Sequence, residues 1–226
     1  MTLLPGLGEV EAPAMLRLGL AMALAALILP GVGQISTVDG WHTAAMVLAE
    51  LAYGGWLGGL ARLFTLALPM AGQIISFMFG LSSVVQPDPA LGQSSALMRL
   101  FSVVAPLLVL NTGLWAYPVA ALSASYSIAP PGTMLPISDG VQAVTAAIAG
   151  SLALAMQLAA PFVFASIIWQ LALGLFSRMV PHLQVYYAAM PAQIVGGLLL
   201  LGLLSTGLMT QWVDATRLGF STLPGL

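Results

Sequence analysis

The chain contains no cysteine and no lysine, and it has few charges of either sign. Without cysteine there are no disulfides, no thiol nucleophile and no cysteine-held metal. The only basic side chains besides histidine are Arg17, Arg62, Arg99, Arg178 and Arg217. They form no cluster, which argues against a nucleic-acid partner, and they give almost no positive-inside signal for orientation. The acids are Glu9, Glu11, Asp39, Glu50, Asp88, Asp139 and Asp214. No two of them share a helix face inside one apolar run, so no carboxylate pair is set up for acid–base work. There is no H-E-x-x-H and no G-x-S-x-G, so the nucleophile-and-base arrangements of hydrolases are missing as well. His42 and His182 are too few and too far apart in sequence to suggest a metal site. Residues 1–13 carry two acids and no base, unlike a cleaved signal peptide. No enzyme, metal or cofactor reading survives these absences.

What the chain has in abundance is apolar surface. Of its 226 residues, 60% are hydrophobic and 5% charged, with a mean hydropathy of +1.02. Soluble domains carry about 25% charged residues, so this chain cannot cover a water-facing surface. Lipid, partner helices or both must be its solvent. The expected fold is an all-α membrane protein of about five long hydrophobic segments, because a crossing needs about 20 apolar residues.

Proline and glycine punctuate these segments. Ala14 to Leu29 ends at Pro30-Gly31. Trp41 to Leu68 contains Glu50 and Arg62 and is expected to stop at Pro69. A shorter run, Ala71 to Val85, enters Gln86-Pro87-Asp88-Pro89. Ser95 to Leu122 is interrupted by Pro106, Gly113 and Pro118. Val141 to Phe176 holds Pro161 near its middle, and Val185 to Met209 contains Pro191. Loops are expected over residues 31–40, 86–94 and 123–139. A proline inside a helix frees a carbonyl that a neighbour must satisfy, which suits a packed assembly better than isolated lipid-facing spans. Glu50, Gly54 and Gly58 recur every four residues and therefore share one helix face. Small-xxx-small pairs let helix backbones approach closely, and a carboxylate on such a face should meet a partner, not lipid. Arg62 lies twelve residues from Glu50, about 18 Å along an ideal helix, and cannot pair with it in one straight helix.

Two blocks of sequence carry more specific information. Residues 170–185, QLALGLFSRMVPHLQV, are followed by Met190-Pro191 and Ile194-Val195-Gly196-Gly197. This stretch, with Gly174, Arg178 and Pro181, resembles the FliR/SctT family. A second block agrees: Ala71-Gly72-Gln73, Gly80-Leu81-Ser82 and Val85-Gln86-Pro87-Asp88-Pro89. The helix with Glu50, Gly54 and Gly58 also fits, as does Asn111-Thr112-Gly113 more weakly. The chain departs from the family at Gln170, His182 and Gln184, and the further hydrophobic helix usual ahead of Ala14 is expected to be missing.

The resemblance implies a subunit of the bacterial flagellar or type III protein-export gate. It implies a FliP-like part over residues 1–122 fused to a FliQ-like part over residues 123–226. It implies partners FliP, FliQ and FlhB, one copy of this chain per gate, unfolded proteins as cargo and residence in the inner membrane at the flagellar basal body. No catalysis, cofactor or metal is implied. The segment Gly80, Leu81, Ser82, Ser83, Val84, Val85, Asp88 and Pro89 is expected to contribute a plug, with Met78 as a soft gasket before it. Asp88 between prolines also reads simply as a turn residue. Arg178 caps a helix end, pairs with an acid on a neighbouring subunit, or does both. Glu50 is expected to be an inter-helix contact and, as the lesser reading, a proton-relay carboxylate. Glu50, Gly54, Gly58, Gly174, Arg178, Pro181, Pro191 and Gly196 are the expected packing or inter-subunit positions. Two alternatives remain open: the equivalent injectisome subunit, SctT, and a small-solute transporter with broken helices.

Overall fold

A computed structural model of the chain describes residues 3–6, 13–32, 39–81, 94–128, 130–132, 137–179 and 185–224. Among them there are six α-helices and no strand. These are α1 (Ala14–Ile28), α2 (Gly40–Met78), α3 (Ala96–Asn111), α4 (Ala116–Ile128), α5 (Ile137–Met179) and α6 (Val185–Ser221). The short turn Leu29–Gly31 extends α1 as a 3-10 helix, with Pro30 in it. Four helical segments are long and apolar enough to cross a membrane, or five if α3 and α4, bent by 66° at their junction, count as one broken span. The expected all-α membrane fold and its number of hydrophobic segments are therefore present.

The breaks differ from those expected. Pro69, Pro106, Pro161 and Pro191 all lie inside continuous helices. The two runs expected on either side of Pro69 are a single helix of 39 residues. Proline removes one i→i−4 bond but does not forbid helix on its far side when packing fixes both flanks. Around Pro69 the flanks are fixed, since Ala67, Leu68 and Ala71 have no exposed surface. At 1.5 Å per residue, α2 is about 58 Å long, roughly twice a hydrocarbon crossing. Among the described residues, the interruption is at Gly113, whose φ of +73° turns the chain between α3 and α4. The expected 123–139 loop is also shorter, because α4 continues to Ile128 and α5 begins at Ile137.

The chain folds into two compact units. The first gathers residues 1–65, 105–151 and 215–226. Its buried residues include Leu57, Leu60, Ala61, Val109, Leu114 and Phe220. Phe220 stands edge-on to Phe64, ring centroids 6.2 Å apart. The Trp56 indole N–H donates to the Gly140 carbonyl at 3.2 Å and ties α2 to the start of α5. α1 buries none of its residues.

The second unit gathers residues 66–104 and 152–214. Its core contains Leu68, Ile75, Phe79, Phe101, Leu158 and Phe162. Phe79 and Phe162 meet edge to face at 6.3 Å. Small residues set the close approaches. A Cβ on Gly72 would lie 2.7 Å from the Phe101 ring and 2.9 Å from the Leu97 carbonyl oxygen, so only glycine lets α3 lie against α2 there.

Candidate functional site

Two groups of side chains concentrate the polar chemistry of the described residues. The first is at the C-terminal end of α2, where the chain leaves the helix toward residues 82–93. The Gly80 amide donates to the Phe77 carbonyl and the Leu81 amide to the Ser76 carbonyl. With Gly80 at φ +70°, this is a Schellman cap, which satisfies the carbonyls a helix end leaves free. Another terminal carbonyl, that of Met78, accepts a 2.9 Å hydrogen bond from the Gln193 amide on α6. The Ser166 hydroxyl on α5 donates to the Met78 sulfur at 3.3 Å. Phe79 packs over Gly197, where a Cβ would come within 2.6 Å of the ring.

The N-terminus of α3 is tied back to the same stretch of α2. The Ser95 amide donates to the Gln73 side-chain oxygen at 3.0 Å. Ser95 also caps α3, its hydroxyl accepting from the Met98 amide at 3.2 Å. The Arg99 guanidinium donates to the Ser94 hydroxyl at 3.0 Å. The two ends of the intervening segment are thus held by side chains from α2, α5 and α6.

The second group is centred on Glu50, in the N-terminal half of α2. One carboxylate oxygen accepts from the Tyr126 hydroxyl on α4 at 3.0 Å. The other accepts from the Gly132 backbone amide at 3.0 Å. Gly132 sits at φ +85°, and a Cβ there would lie 3.1 Å from Met46, so the Pro131–Gly132 turn is shaped to bring its amide to this carboxylate. Glu50 lines three cavities. One of about 330 Å³ is walled by Leu24, Ile28, Met46, Leu122 and Tyr126. One of about 240 Å³ is walled by Leu3, Leu4, Leu51, Gly54 and Gly58. The smallest, about 30 Å³, lies beside Tyr53, Ser125 and Pro130.

The remaining expected site residues distribute as follows. Gly80 and Leu81 lie in the α2 cap, and Met78 is half-buried one turn before it. Ser82, Ser83, Val84, Val85, Asp88, Pro89 and Pro181 lie outside the described residues. Gly58 is buried, and a Cβ on it would lie 3.0 Å from Cβ of Leu3 in the same chain. Gly54 meets nothing within 4 Å, and neither do Gly174 or Gly196. Arg178 is exposed in the last turn of α5. There its charge favours the helix dipole. Pro191 is exposed within α6.

Sequence reasoning placed Gln73 in a family block without giving it a role, and it did not single out Gln193, Tyr126 or Gly132. Gly132, between paired prolines and an undescribed stretch, carried a turn signal. The amide-to-carbonyl and phenol-to-carboxylate pairings had none, since the partners are 22 to 115 residues apart.

Comparison with known proteins bears on what these groups serve. The family described as bacterial export proteins, family 1, matches residues 1–218. A flagellar biosynthetic protein FliR from Caulobacter vibrioides is 34% identical over 220 residues, covering 95% of this chain and 87% of that protein. A FliR from Aquifex aeolicus is 27% identical over 208 residues, covering 91% and 80%. The Escherichia coli FliR is 30% identical over 206 residues, covering 88% and 77%. A family match over residues 1–218, on a multi-pass helical chain, places this protein: it belongs to the FliR proteins of bacterial export family 1.

Proposed function

We propose that this chain is a core membrane subunit of the flagellar type III protein-export gate, helping to form and close the channel for unfolded proteins during flagellum assembly. The observation that carries this reading is the family match over residues 1–218, on a chain with four to five candidate spans. The relatives compared carry the flagellar name, which favours the flagellum over an injectisome. The chain works as a structural component in the bacterial inner membrane, with FliP, FliQ and FlhB as its companions. Its catalytic inventory supports a non-enzymatic role, because no nucleophile–base pair stands in the sequence. We assign residues 1–122 as the FliP-like part and 123–226 as the FliQ-like part.

Within the gate, the segment opened by Gly80 acts as the plug, with Met78 as its gasket. The Schellman cap at Gly80 and the Gln73–Ser95 hydrogen bond support this by fixing where the segment starts and ends. Short apolar constrictions can block ions by dewetting, and Val84 and Val85 supply such a surface.

The test is recovery of FliP and FliQ with the affinity-tagged full chain from cells expressing all three. Stoichiometric recovery is expected; a chain purified alone would remove the gate assignment. The variant lacking residues 82–85 is expected to assemble normally but to admit ions, measured as conductance across the expressing membrane. An assembled variant as tight as the wild type would remove the plug assignment alone.

A further inference from the structure

Glu50 is the only charged side chain lining any of its three cavities among the described residues. Its two hydrogen-bond donors, the Tyr126 phenol and the Gly132 amide, are both neutral. A carboxylate offers about four acceptor sites, so roughly two remain open toward the cavities. The larger cavities are otherwise apolar, walled by Leu24, Ile28 and Met46 on one side and by Leu3 and Leu51 on the other. No described residue lining them carries a positive charge. In a chain that spans a membrane, such a charge is completed by a cation or by water.

The surface around this opening is suited to a helix. Val47 and Leu51 are 53% and 68% exposed. They lie one turn apart on the same side of α2, next to Glu50 in sequence. Gly54, three residues after Leu51, has nothing within 4 Å of where its Cβ would be, so a helix backbone can come close.

We infer that the Glu50 cavity receives a lysine or arginine presented by a helix of another export-gate subunit, which lies across Val47, Leu51 and Gly54. The occupant is fixed by charge. The site holds a negative group, two neutral donors and an apolar sleeve. A basic side chain threads its methylene stem along that sleeve and brings its charged head to the carboxylate. The cavity of about 240 Å³, which Leu51 and Gly54 line beside Glu50, is roomy enough for one such side chain. The Tyr126 and Gly132 bonds then have a second role: they hold the carboxylate in place before the cation arrives, so that no rotamer freedom is lost on docking.

The inference rests on the export-gate reading, and one experiment separates the two. The tagged chain is co-expressed with its companion gate subunits and the recovered complex is quantified for wild type, Glu50→Gln, Glu50→Asp and Tyr126→Phe. Yield and monodispersity of each chain expressed alone report whether it folds. Glu50→Gln is expected to fold and to lower recovery about thirtyfold or more, the scale for removing one partner of a buried charge pair. Glu50→Asp keeps the charge and should recover complex to within about threefold of wild type. Tyr126→Phe loses one hydrogen bond within the chain but keeps the Glu50 charge for the incoming cation, and should retain more than about half. Glu50→Lys should be rescued by an acidic replacement of one basic residue in a companion subunit. Wild-type recovery with Glu50→Gln would overturn the inference while leaving the gate reading intact. Equal losses for Glu50→Gln and Tyr126→Phe would also overturn it, because Glu50 would then act only on its own chain. A wild-type chain that brings down no companion would overturn both.

Discussion

In the C-terminal half of α2, Ala67, Leu68 and Ala71 have no exposed surface and Ile75 has 1%. In α6, which packs in the same unit, Leu199 is 64% exposed and Leu203 79%. Both stretches are predominantly apolar and both contain a proline. Composition therefore does not decide which one forms a core. What differs is the distribution of small residues. α2 offers Gly72 to Leu97 and Phe101 of α3 and buries Ala67 and Ala71 completely. α6 offers Gly197 to Phe79 and turns Leu198, Leu199 and Leu203 outward. Lipid tails are as apolar as leucine, so burial alone does not drive helices together in a bilayer, whereas close packing does. The core of this chain lies where a small residue meets a large one, and its outward leucines are left for lipid or for other subunits.

The sharpest way to break this contrast is at Gly72. A side chain there meets the Phe101 ring and, more importantly, the Leu97 backbone carbonyl. Backbone cannot rotate aside as a ring can. Overpacking of this kind costs typically 1–3 kcal/mol and more where nothing yields, so Gly72→Leu is expected to cost about 3 kcal/mol or more. Thermal unfolding of the full chain in neutral detergent, followed by gel filtration, measures it. A monodisperse variant with an unchanged midpoint would show that α3 does not lie on α2 at Gly72.

Much of this was legible in the sequence, and the failures share a cause. The apolar runs marked every helix, because a membrane chain must satisfy its backbone internally and helix is the way to do so. The turn at Gly113 was visible from the glycine itself. Pro69, by contrast, was expected to end a helix and does not. The penalty of a proline is local, while the packing of Ala67, Leu68 and Ala71 that outweighs it depends on residues distant in sequence. Glu50 was recognised as a residue in need of a partner from its place among apolar neighbours. Its donors, Tyr126 and Gly132, could not be named, since a pairing across about 80 residues leaves no periodic trace. Of the adjacent Gly196 and Gly197, the sequence pointed to Gly196 as a packing or inter-subunit position, whereas within this chain it is Gly197 that meets Phe79. Only the rotation of α6 about its axis distinguishes the buried one from the exposed one.

That last pair offers the next test. Gly197→Leu must displace the Phe79 ring, which is 5% exposed and held edge-on against Phe162. A ring can shift in part, so the expected cost is about 2 kcal/mol. Gly196→Leu points into open space and should change stability by less than about 0.5 kcal/mol. If the outward face of α6 serves a companion subunit, recovery of the complex should reverse the order relative to stability, with Gly196→Leu losing complex from a fully stable chain. Equal stability losses for the two variants would mean that α6 is rotated from the orientation described, and the contrast with α2 would lose its basis.

The smallest expected effect is at Gly80, where α2 ends. Its φ of +70° is in the left-handed region, which costs a residue with a Cβ roughly 1–2 kcal/mol. Alanine also restricts the unfolded chain and returns about 0.4–1 kcal/mol, so Gly80→Ala should destabilise by only about 1 kcal/mol. No steric term adds to this, because nothing lies within 4 Å of the added methyl. Asparagine tolerates the left-handed conformation better than alanine, so Gly80→Asn should lose less than Gly80→Ala although its side chain is larger. That inverted order separates a backbone requirement from a packing one: at Gly72 and Gly197 the larger side chain is the worse one, and at Gly80 the ranking follows φ. Midpoints of thermal unfolding for the two variants, measured beside wild type in one detergent, are sufficient. A Gly80→Ala chain as stable as wild type, or one less stable with asparagine than with alanine, would remove the Schellman cap as the device that stops α2 before residue 82.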